Sequence, residues 1–161
     1  MSDEIKLTGF TNRTEFPDGP WDDEPDLCIW QEPETGYLCA ITRPRLGTLA
    51  GYVAVPNDHP LHGVNYVEYT DNLSRIDVHC GLTYSAPTPY IAHGVPIADI
   101  ASIKFDGASN WWFGFDCAHS GDLSPGLSGF EPMPGEEYRD IDYVRSETVN
   151  LARQLWEIAN D

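Results

Sequence analysis

The segment Asn110-Trp-Trp-Phe-Gly-Phe-Asp-Cys-Ala-His-Ser-Gly-Asp122 holds the densest apolar run of the chain. An apolar run of this length that ends in turn residues is typical of a buried strand. Polar side chains just beyond a strand end are where functional sites are commonly built. We therefore expect a strand over residues 111–117 and a site at its carboxyl end.

Successive side chains of a strand point to opposite faces of the sheet. On this strand, four side chains are expected to face the core: Trp111, Phe113, Phe115 and Cys117. The segment Arg75–Cys80 alternates in the same way and predicts a second strand. If the two strands lie side by side with their apolar faces together, the opposite face carries a common polar set: Asp77, His79, Trp112 and Asp116.

The remaining strands are predicted from short apolar runs between turn residues. Leu27–Gln31 and Tyr37–Thr42, separated by Glu-Pro-Glu-Thr-Gly, predict a hairpin, and Leu49–Val55 predicts a third strand. A strand at Ile100–Phe105 is expected to pair with the 111–117 strand through an Asp106-Gly107 turn.

The end of the chain predicts one long helix, from Asp140 to about Ala159. Its apolar residues recur at spacings of three and four: Ile141, Val144, Thr148, Leu151, Leu155 and Ile158. Asp140 is the expected N-cap. The predicted fold class is therefore α+β, a mostly antiparallel sheet packed against one long C-terminal amphipathic helix. Residues 27–161 are expected to form a single domain, and residues 1–26 an acidic, solvated N-terminal arm with a short strand near Ile5–Phe10.

The formal net charge of −17 is the main compositional anomaly, with two lysines and seven arginines. Such a surface disfavours direct binding of nucleic acid or anionic membranes and favours basic partners. We expect a cytoplasmic location, since the sequence has neither a secretory signal nor a run of about 18 apolar residues. The four cysteines of this chain are expected to be reduced and buried, as is usual in a cytosolic protein: Cys28, Cys39, Cys80 and Cys117.

The candidate site contains groups that suit three kinds of chemistry. As a ligand pocket it would use six residues: His79, Thr83, Trp112, Asp116, His119 and Asp122. As a divalent metal site it would use His79, Asp116 and His119, because imidazole and carboxylate are metal ligands. As a covalent enzyme it would pair His119 and Asp116 with one of four nucleophiles: Ser120, Ser85, Thr83 or Cys80. No spacing matches a strong catalytic or metal signature.

Two further groups bear on ligand chemistry. His59 and His62 lie in the Pro56–Gly63 loop. Either they complete a site from across the sheet or they are ordinary loop histidines, which is the more common finding. No phosphate-binding glycine motif is present, so a nucleotide ligand would need a metal or arginines, of which the candidates are Arg43, Arg45 and Arg75.

Several further strings stand out: Gly51-Tyr-Val-Ala-Val-Pro56 with His59-Pro-Leu-His-Gly63, His79-Cys-Gly-Leu-Thr-Tyr-Ser85 and Tyr138–Arg145. Together with the 111–122 segment they resemble a family of small uncharacterised proteins encoded by tailed phages and prophages. The likeness covers about residues 49–159. In that family glycine is more frequent at the position of Cys80, so the resemblance does not favour Cys80 as an essential group. It implies a mobile-element origin and a role in counter-defence, and it implies no reaction.

These observations give one leading functional hypothesis and two alternatives. The leading one is a non-catalytic phage accessory protein in the host cytosol. It would be an anti-CRISPR or an immune-signal antagonist, and it would bind a host defence protein or a nucleotide-like small molecule. The first alternative is a metal-dependent nucleotide or phosphoester hydrolase. The second is an acidic inhibitor that mimics nucleic acid through the carboxylates of residues 1–34 and the final helix; its binding would weaken steeply with salt.

Overall fold

The computed structural model describes residues 4–68, 70–90, 94–102, 104–105, 111–127 and 133–161. The strands are β1 (Ile5–Leu7), β2 (Leu27–Gln31), β3 (Leu38–Thr42), β4 (Ala50–Val55), β5 (Tyr84–Ala86) and β6 (Trp111–Asp116). They form one antiparallel sheet in the order β1-β2-β3-β4-β6-β5. The α-helices in the described residues are α1 (Asp71–Ser74), α2 (Ile97–Ala101) and α3 (Ile141–Ala159). The predicted α+β class, with one long C-terminal helix on an antiparallel sheet, is confirmed.

The predicted hairpin is present as β2 and β3. Leu27 lies opposite Thr42, and Gln31 lies opposite Leu38. The Glu32 carboxylate accepts the Thr35 backbone N–H at 2.9 Å and so fixes the turn between the strands. The predicted third strand is also present, since β4 pairs with β3.

The strand β6 lies inside the sheet between β4 and β5. Its predicted alternation is confirmed, because Phe113, Phe115 and Cys117 are buried in the core on the α3 side and Trp111 packs against that core. Trp112 is buried in a second core on the opposite face. The strand is therefore covered on both faces, and this explains its nearly continuous apolar sequence.

The helix α3 covers one face of the sheet. Its buried residues follow the predicted stripe with one additional alanine, and the first predicted member, Ile141, is only partly buried. The buried residues are Val144, Thr148, Leu151, Ala152, Leu155 and Ile158. The predicted N-cap is confirmed, since the Asp140 carboxylate accepts the Tyr143 backbone N–H at 2.8 Å. None of the helices in the described ranges is long and apolar enough to cross a bilayer.

The prediction of a strand at Ile100–Phe105 is wrong. The helix α2 occupies the start of this segment, with Ile97 and Ala101 buried against the second core that holds Trp112. A spacing of four residues places both on one side of a helix, so the local apolar pattern fits a helix as well as a strand. The Asp106-Gly107 turn lies outside the described residues.

The prediction of a strand at Arg75–Cys80 is also wrong. Side chains of α3, rather than a neighbouring strand, hold its backbone. Gln154 accepts the Asp77 N–H at 2.7 Å and donates to the Asp77 carbonyl at 2.8 Å. Glu147 accepts the His79 N–H at 2.8 Å. Short apolar alternation does not reveal which partner satisfies the backbone, and here a helix supplies it.

The prediction of a solvated tail is wrong for residues 4–26. The strand β1 pairs with β2, and the Trp21 side chain is buried with its ring centroid 5.0 Å from that of Tyr138. Asp26 accepts three backbone N–H groups, from residues 9, 10 and 11. The acidic segment therefore packs on the sheet and supplies buried carboxylates to it.

Candidate functional site

Five of the six predicted site residues converge beyond the carboxyl end of β6. At the centre, His79 Nε2 lies 2.9 Å from Asp122 Oδ2, and His79 Nδ1 lies 2.7 Å from the Tyr143 hydroxyl. The two loops that carry His79 and Asp122 are thus joined to each other and to α3. Both side chains are nearly inaccessible, with exposed fractions of 8% for His79 and 1% for Asp122.

The Asp122 carboxylate is stabilised in its ionised form. Burial alone would raise its pKa, but hydrogen bonds from His79, from Arg139 Nε at 2.9 Å and from the His119 backbone N–H outweigh burial and hold the pKa below its ordinary value. Asp122 is therefore a fixed negative charge. Folding locates it here because Gly121, at φ 92°, lets the chain reverse next to it.

A second, more exposed layer covers this centre. His119 Nε2 lies 3.0 Å from Asp116 Oδ1, and the Thr83 hydroxyl donates to Asp116 Oδ2 at 3.1 Å. His119 Nε2 and Asp116 are close without being aligned for a hydrogen bond. The rings of His79 and His119 are 6.5 Å apart, centroid to centroid. The predicted metal set of His79, Asp116 and His119 therefore lies in one region, but the latter two contact each other more closely than either contacts His79.

Cys80 contributes a thiol to this cluster. In the predicted Arg75–Cys80 strand, alternation would have turned that thiol towards the core, together with Ile76 and Val78. Within the described residues the other three cysteines are buried and Cys80 is exposed. Its backbone has φ 54°, in the left-handed region that non-glycine residues seldom adopt. Ligand atoms of His79, Cys80 and Asp122 lie within 4.8 Å of one another. The thiol is thus a member of the cluster. Cys80 was expected only as one of four candidate nucleophiles and not as a pocket or metal ligand; alternation in a strand would have placed it on the apolar face.

Trp112 does not belong to this cluster. Its side chain is fully buried in the core on the other face of the sheet, with Ile97 and Ala101. A ligand cannot stack on its ring without displacing that core, so the expected role of Trp112 as a stacking surface does not fit the structure. His59 is also absent from the cluster, since it is buried between Leu61 and Leu155.

A cavity of about 540 Å³ lies elsewhere, on the sheet face opposite α3. None of the six predicted site residues lines it. Its wall consists of Phe10, Thr11, Asn12, Asp26, Thr42, Arg43, Pro44, Arg45, Tyr52 and Tyr90. Two of the three candidate arginines for a nucleotide ligand, Arg43 and Arg45, are therefore at one cavity. No local sequence pattern predicts that β3, β4 and residues 10–12 meet there.

The two arginines of the cavity differ in what they can contribute. Arg43 is fully buried, and its guanidinium donates to the carboxylate of Glu24, to the Gly47 carbonyl and to the Tyr138 hydroxyl. Its charge is already neutralised. Arg45 is exposed, and within the described part of the chain it forms no hydrogen bond or ion pair. The charge of Arg45 is therefore available to an anionic ligand.

Comparison of the chain with protein-family models, with curated proteins and with solved structures found no match in any of the three. The geometry of the two sites is therefore the basis for the functional argument.

Proposed function

We propose that this protein binds a small aromatic anion of the nucleotide class in the 540 Å³ cavity. We propose further that it does so as a phage or prophage accessory protein, sequestering a nucleotide-like immune signal in the host cytosol. The observation that carries the proposal is the exposed Arg45 at a cavity whose wall includes three aromatic rings: Phe10, Tyr52 and Tyr90. The resemblance to phage proteins supports the second part.

The size and lining of the cavity fit a small organic ligand. Ligand pockets span about 300–1,000 Å³ and combine apolar walls with a few directional polar groups. Tyr90 is 60% exposed, so its ring is free to stack on a planar ligand. The Tyr52 side chain forms a hydrogen bond with Thr42 within the cavity wall. Burial raises the pKa of Tyr52 to about 12, so the phenol stays neutral. Both hydroxyl groups can form hydrogen bonds with a base or sugar.

Charge selects an anion at this cavity in spite of the acidic chain. Arg45 is the only arginine without an acidic partner among the described residues. Among the described residues of the cavity wall Asp26 is the one acidic residue, and it is paired with Arg13 and Arg43. Arginine matches phosphate and carboxylate oxygens in a two-pronged geometry. A phosphate beside Arg45 would therefore meet a free cation and no free carboxylate of the cavity wall.

The lining favours binding over catalysis. The described residues of the wall include no histidine and no cysteine, and the carboxylate of Asp26 already accepts several hydrogen bonds. Such a wall offers no evident general base or nucleophile. Sequestration of the ligand is the function that this chemistry supports best.

The acidic-mimic alternative stays a prediction, and three acidic residues of its proposed surface are used internally. Glu4 binds Arg145 through both of its oxygens, Glu24 binds Arg43, and Asp26 binds Arg13. These carboxylates stabilise the fold, so they cannot also imitate phosphates. The remaining acidic residues of the arm would have to carry the mimicry.

Isothermal titration of the wild-type chain with nucleoside monophosphates and cyclic dinucleotides tests the proposal. We expect one nucleotide to bind, and Arg45→Ala to weaken that binding by about 10–100-fold, the worth of a charge-assisted hydrogen bond. Arg75→Ala is the matched control, because Arg75 is also exposed but already pairs with Asp161. Absence of binding by every nucleotide, or equal loss in both variants, would overturn the proposal.

Infection assays address the counter-defence part. The test bacteria have an immune system that uses the bound nucleotide as its signal. Phage should infect them more efficiently when they express the wild-type chain or the control variant Arg75→Ala. Expression of Arg45→Ala should give no such gain. Ligand binding without any effect on infection would leave the binding function standing and remove the immune role.

A further inference from the structure

We propose that His79, Cys80 and Asp122 bind a zinc-type divalent cation through His79 Nε2, Cys80 Sγ and one Asp122 oxygen. This site lies at the end of β6 and shares no residue with the cavity that carries the proposed function. A negative result for one proposal therefore does not bear on the other.

The three ligands form a set that suits zinc. Imidazole nitrogen, thiolate sulfur and carboxylate oxygen are the three groups that bind Zn²⁺ in proteins, and three protein ligands with water in the fourth position form a common arrangement. Soft thiolate disfavours Mg²⁺ and Ca²⁺, which prefer oxygen. Binding uses the neutral tautomer of His79 whose proton is on Nδ1, where it is donated to the Tyr143 hydroxyl, so that Nε2 is free to bind the metal; the thiol proton of Cys80 passes to solvent.

The spacing of the atoms is close to that of a tetrahedral centre. Neighbouring nitrogen and oxygen ligands of such a centre are about 3.3 Å apart, given bonds of about 2.0–2.1 Å. His79 Nε2 lies 2.9 Å and 3.1 Å from the two Asp122 oxygens. The three ligand atoms lie within 4.8 Å of one another, so the thiol has to move by no more than about an ångström to reach the spacing of a tetrahedral centre. Because Cys80 is exposed, its side chain is free to make that shift.

The groups around the ligands hold them in position. The Tyr143 hydroxyl contacts His79 Nδ1, so the opposite ring nitrogen faces Asp122. The His119 backbone N–H and Arg139 hold the Asp122 oxygens. Partners of this kind orient metal ligands, and their loss typically weakens metal binding by about 10–100-fold. The positive charge of Arg139 opposes a cation, and its contact with Glu137 at 3.1 Å offsets part of that effect.

The backbone conformation of Cys80 is unusual for a residue other than glycine. A left-handed conformation is unfavourable for such a residue because its Cβ crowds the following carbonyl oxygen. Cys80 adopts it at φ 54°, and Gly81 next to it has φ 82°. Strained positions of this kind concentrate at functional sites. In this conformation the Cys80 thiol lies within 4.8 Å of the ligand atoms of His79 and Asp122. A glycine at this position would supply no ligand atom from a side chain.

Titration of the reduced wild-type chain with Co²⁺ tests the site, because Co²⁺ substitutes for zinc and a thiolate ligand gives it a charge-transfer absorption. We expect one Co²⁺ per chain, the charge-transfer absorption, and displacement of Co²⁺ by Zn²⁺. Cys80→Gly should abolish the absorption and weaken binding by about tenfold or more. The variant should fold, since glycine suits φ 54°.

Asp77→Asn is the matched control, because Asp77 is an exposed carboxylate in the same loop and lies outside the ligand set. It should bind Co²⁺ as the wild-type chain does. Three results would overturn the site: no thiolate absorption with Co²⁺, equal affinity in the wild-type chain and Cys80→Gly, or a loss in Asp77→Asn as large as in Cys80→Gly.

Discussion

His79 and Asp122 are separated by 43 positions, yet His79 Nε2 and Asp122 Oδ2 lie 2.9 Å apart in a nearly inaccessible contact. Neither residue belongs to a strand. The contact forms because α3 holds one loop through Glu147 and Tyr143, while Arg139, just before α3, holds the other through Asp122. The helix that stabilises the sheet therefore also assembles the polar cluster at its edge.

Loss of the buried Arg43 charge should strongly destabilise the fold. Arg43 pairs with Glu24 and Asp26, and all three side chains are buried. In Arg43→Met these carboxylates lose that partner, and removal of one member of a buried ion pair typically costs about 3–5 kcal/mol. Urea unfolding followed by tryptophan fluorescence measures this cost.

Arg153→Met is the control for Arg43→Met. Arg153 and its partner Glu34 are 49% and 67% exposed, so solvent screens their interaction. The two variants should differ by several kcal/mol, on the order expected for a buried against a surface pair. Equal unfolding midpoints would contradict the importance of the buried network.

Protonation of His59 should destabilise the folded chain. The Leu61 N–H donates to His59 Nδ1 at 2.9 Å, and His59 Nε2 lies 2.8 Å from the Leu155 carbonyl, so the neutral ring satisfies both contacts. Burial lowers the pKa of His59 below 6.5; the Leu155 carbonyl and Asp58 oppose this effect, and His62 adds to it. The stability that depends on neutral His59 is present above pH 6.5, and it is lost as the pH falls towards the folded-state pKa.

Urea unfolding at about pH 7.5 and about pH 5.5 checks this prediction, because the two values bracket the ordinary histidine pKa. The wild-type chain should lose more stability between them than His59→Gln does. His62→Gln, altered in the same loop, is the matched control and should resemble the wild-type chain. If the free energy of unfolding depended on pH equally in the wild-type chain and His59→Gln, the prediction would be contradicted.

Close packing of α3 on the sheet should make Gly51 intolerant of a side chain. A Cβ at Gly51 would overlap the Thr148 hydroxyl and lie 2.6 Å from the Phe115 ring. Gly51→Ala should therefore cost about 2–3 kcal/mol through overpacking. Gly63→Ala is the comparison, because its Cβ meets no atom within 4 Å and only its φ of 81° is unfavourable. That variant should cost about 1 kcal/mol. Denaturant unfolding of both variants decides whether the clash at Gly51 is the larger effect.

The sequence predicted the elements whose pattern repeats over enough residues. The α3 stripe, its Asp140 cap and the β2–β3 hairpin are local properties, set by periodicity and turn chemistry. Short segments were less informative. Arg75–Cys80 has the alternation of a strand but is bound by side chains of α3, and Ile97–Ala101 is helical where a strand was expected.

The residues of the candidate site were predicted in part, but the predicted cause of their convergence is wrong. His79, Thr83, Asp116, His119 and Asp122 do converge, but by attachment of loops to α3 and not by pairing of two strands. Trp112 was assigned to the site from the same alternation that correctly placed it on the opposite face from Phe113. Alternation gives the face of a side chain and does not say whether that face is solvated or covered by another core.

Composition and periodicity, which are local to the chain, predicted the antiparallel sheet with its C-terminal helix and the acidic charge, and they gave six candidate site residues, of which five meet at the end of β6. Only in the folded chain does the Cys80 thiol lie near His79 and Asp122, and only there does Arg45 lie beside a cavity, without an acidic partner among the residues that the structure describes. Both facts depend on contacts between distant segments, and the free energy of packing the whole chain, rather than any local pattern, fixes those contacts.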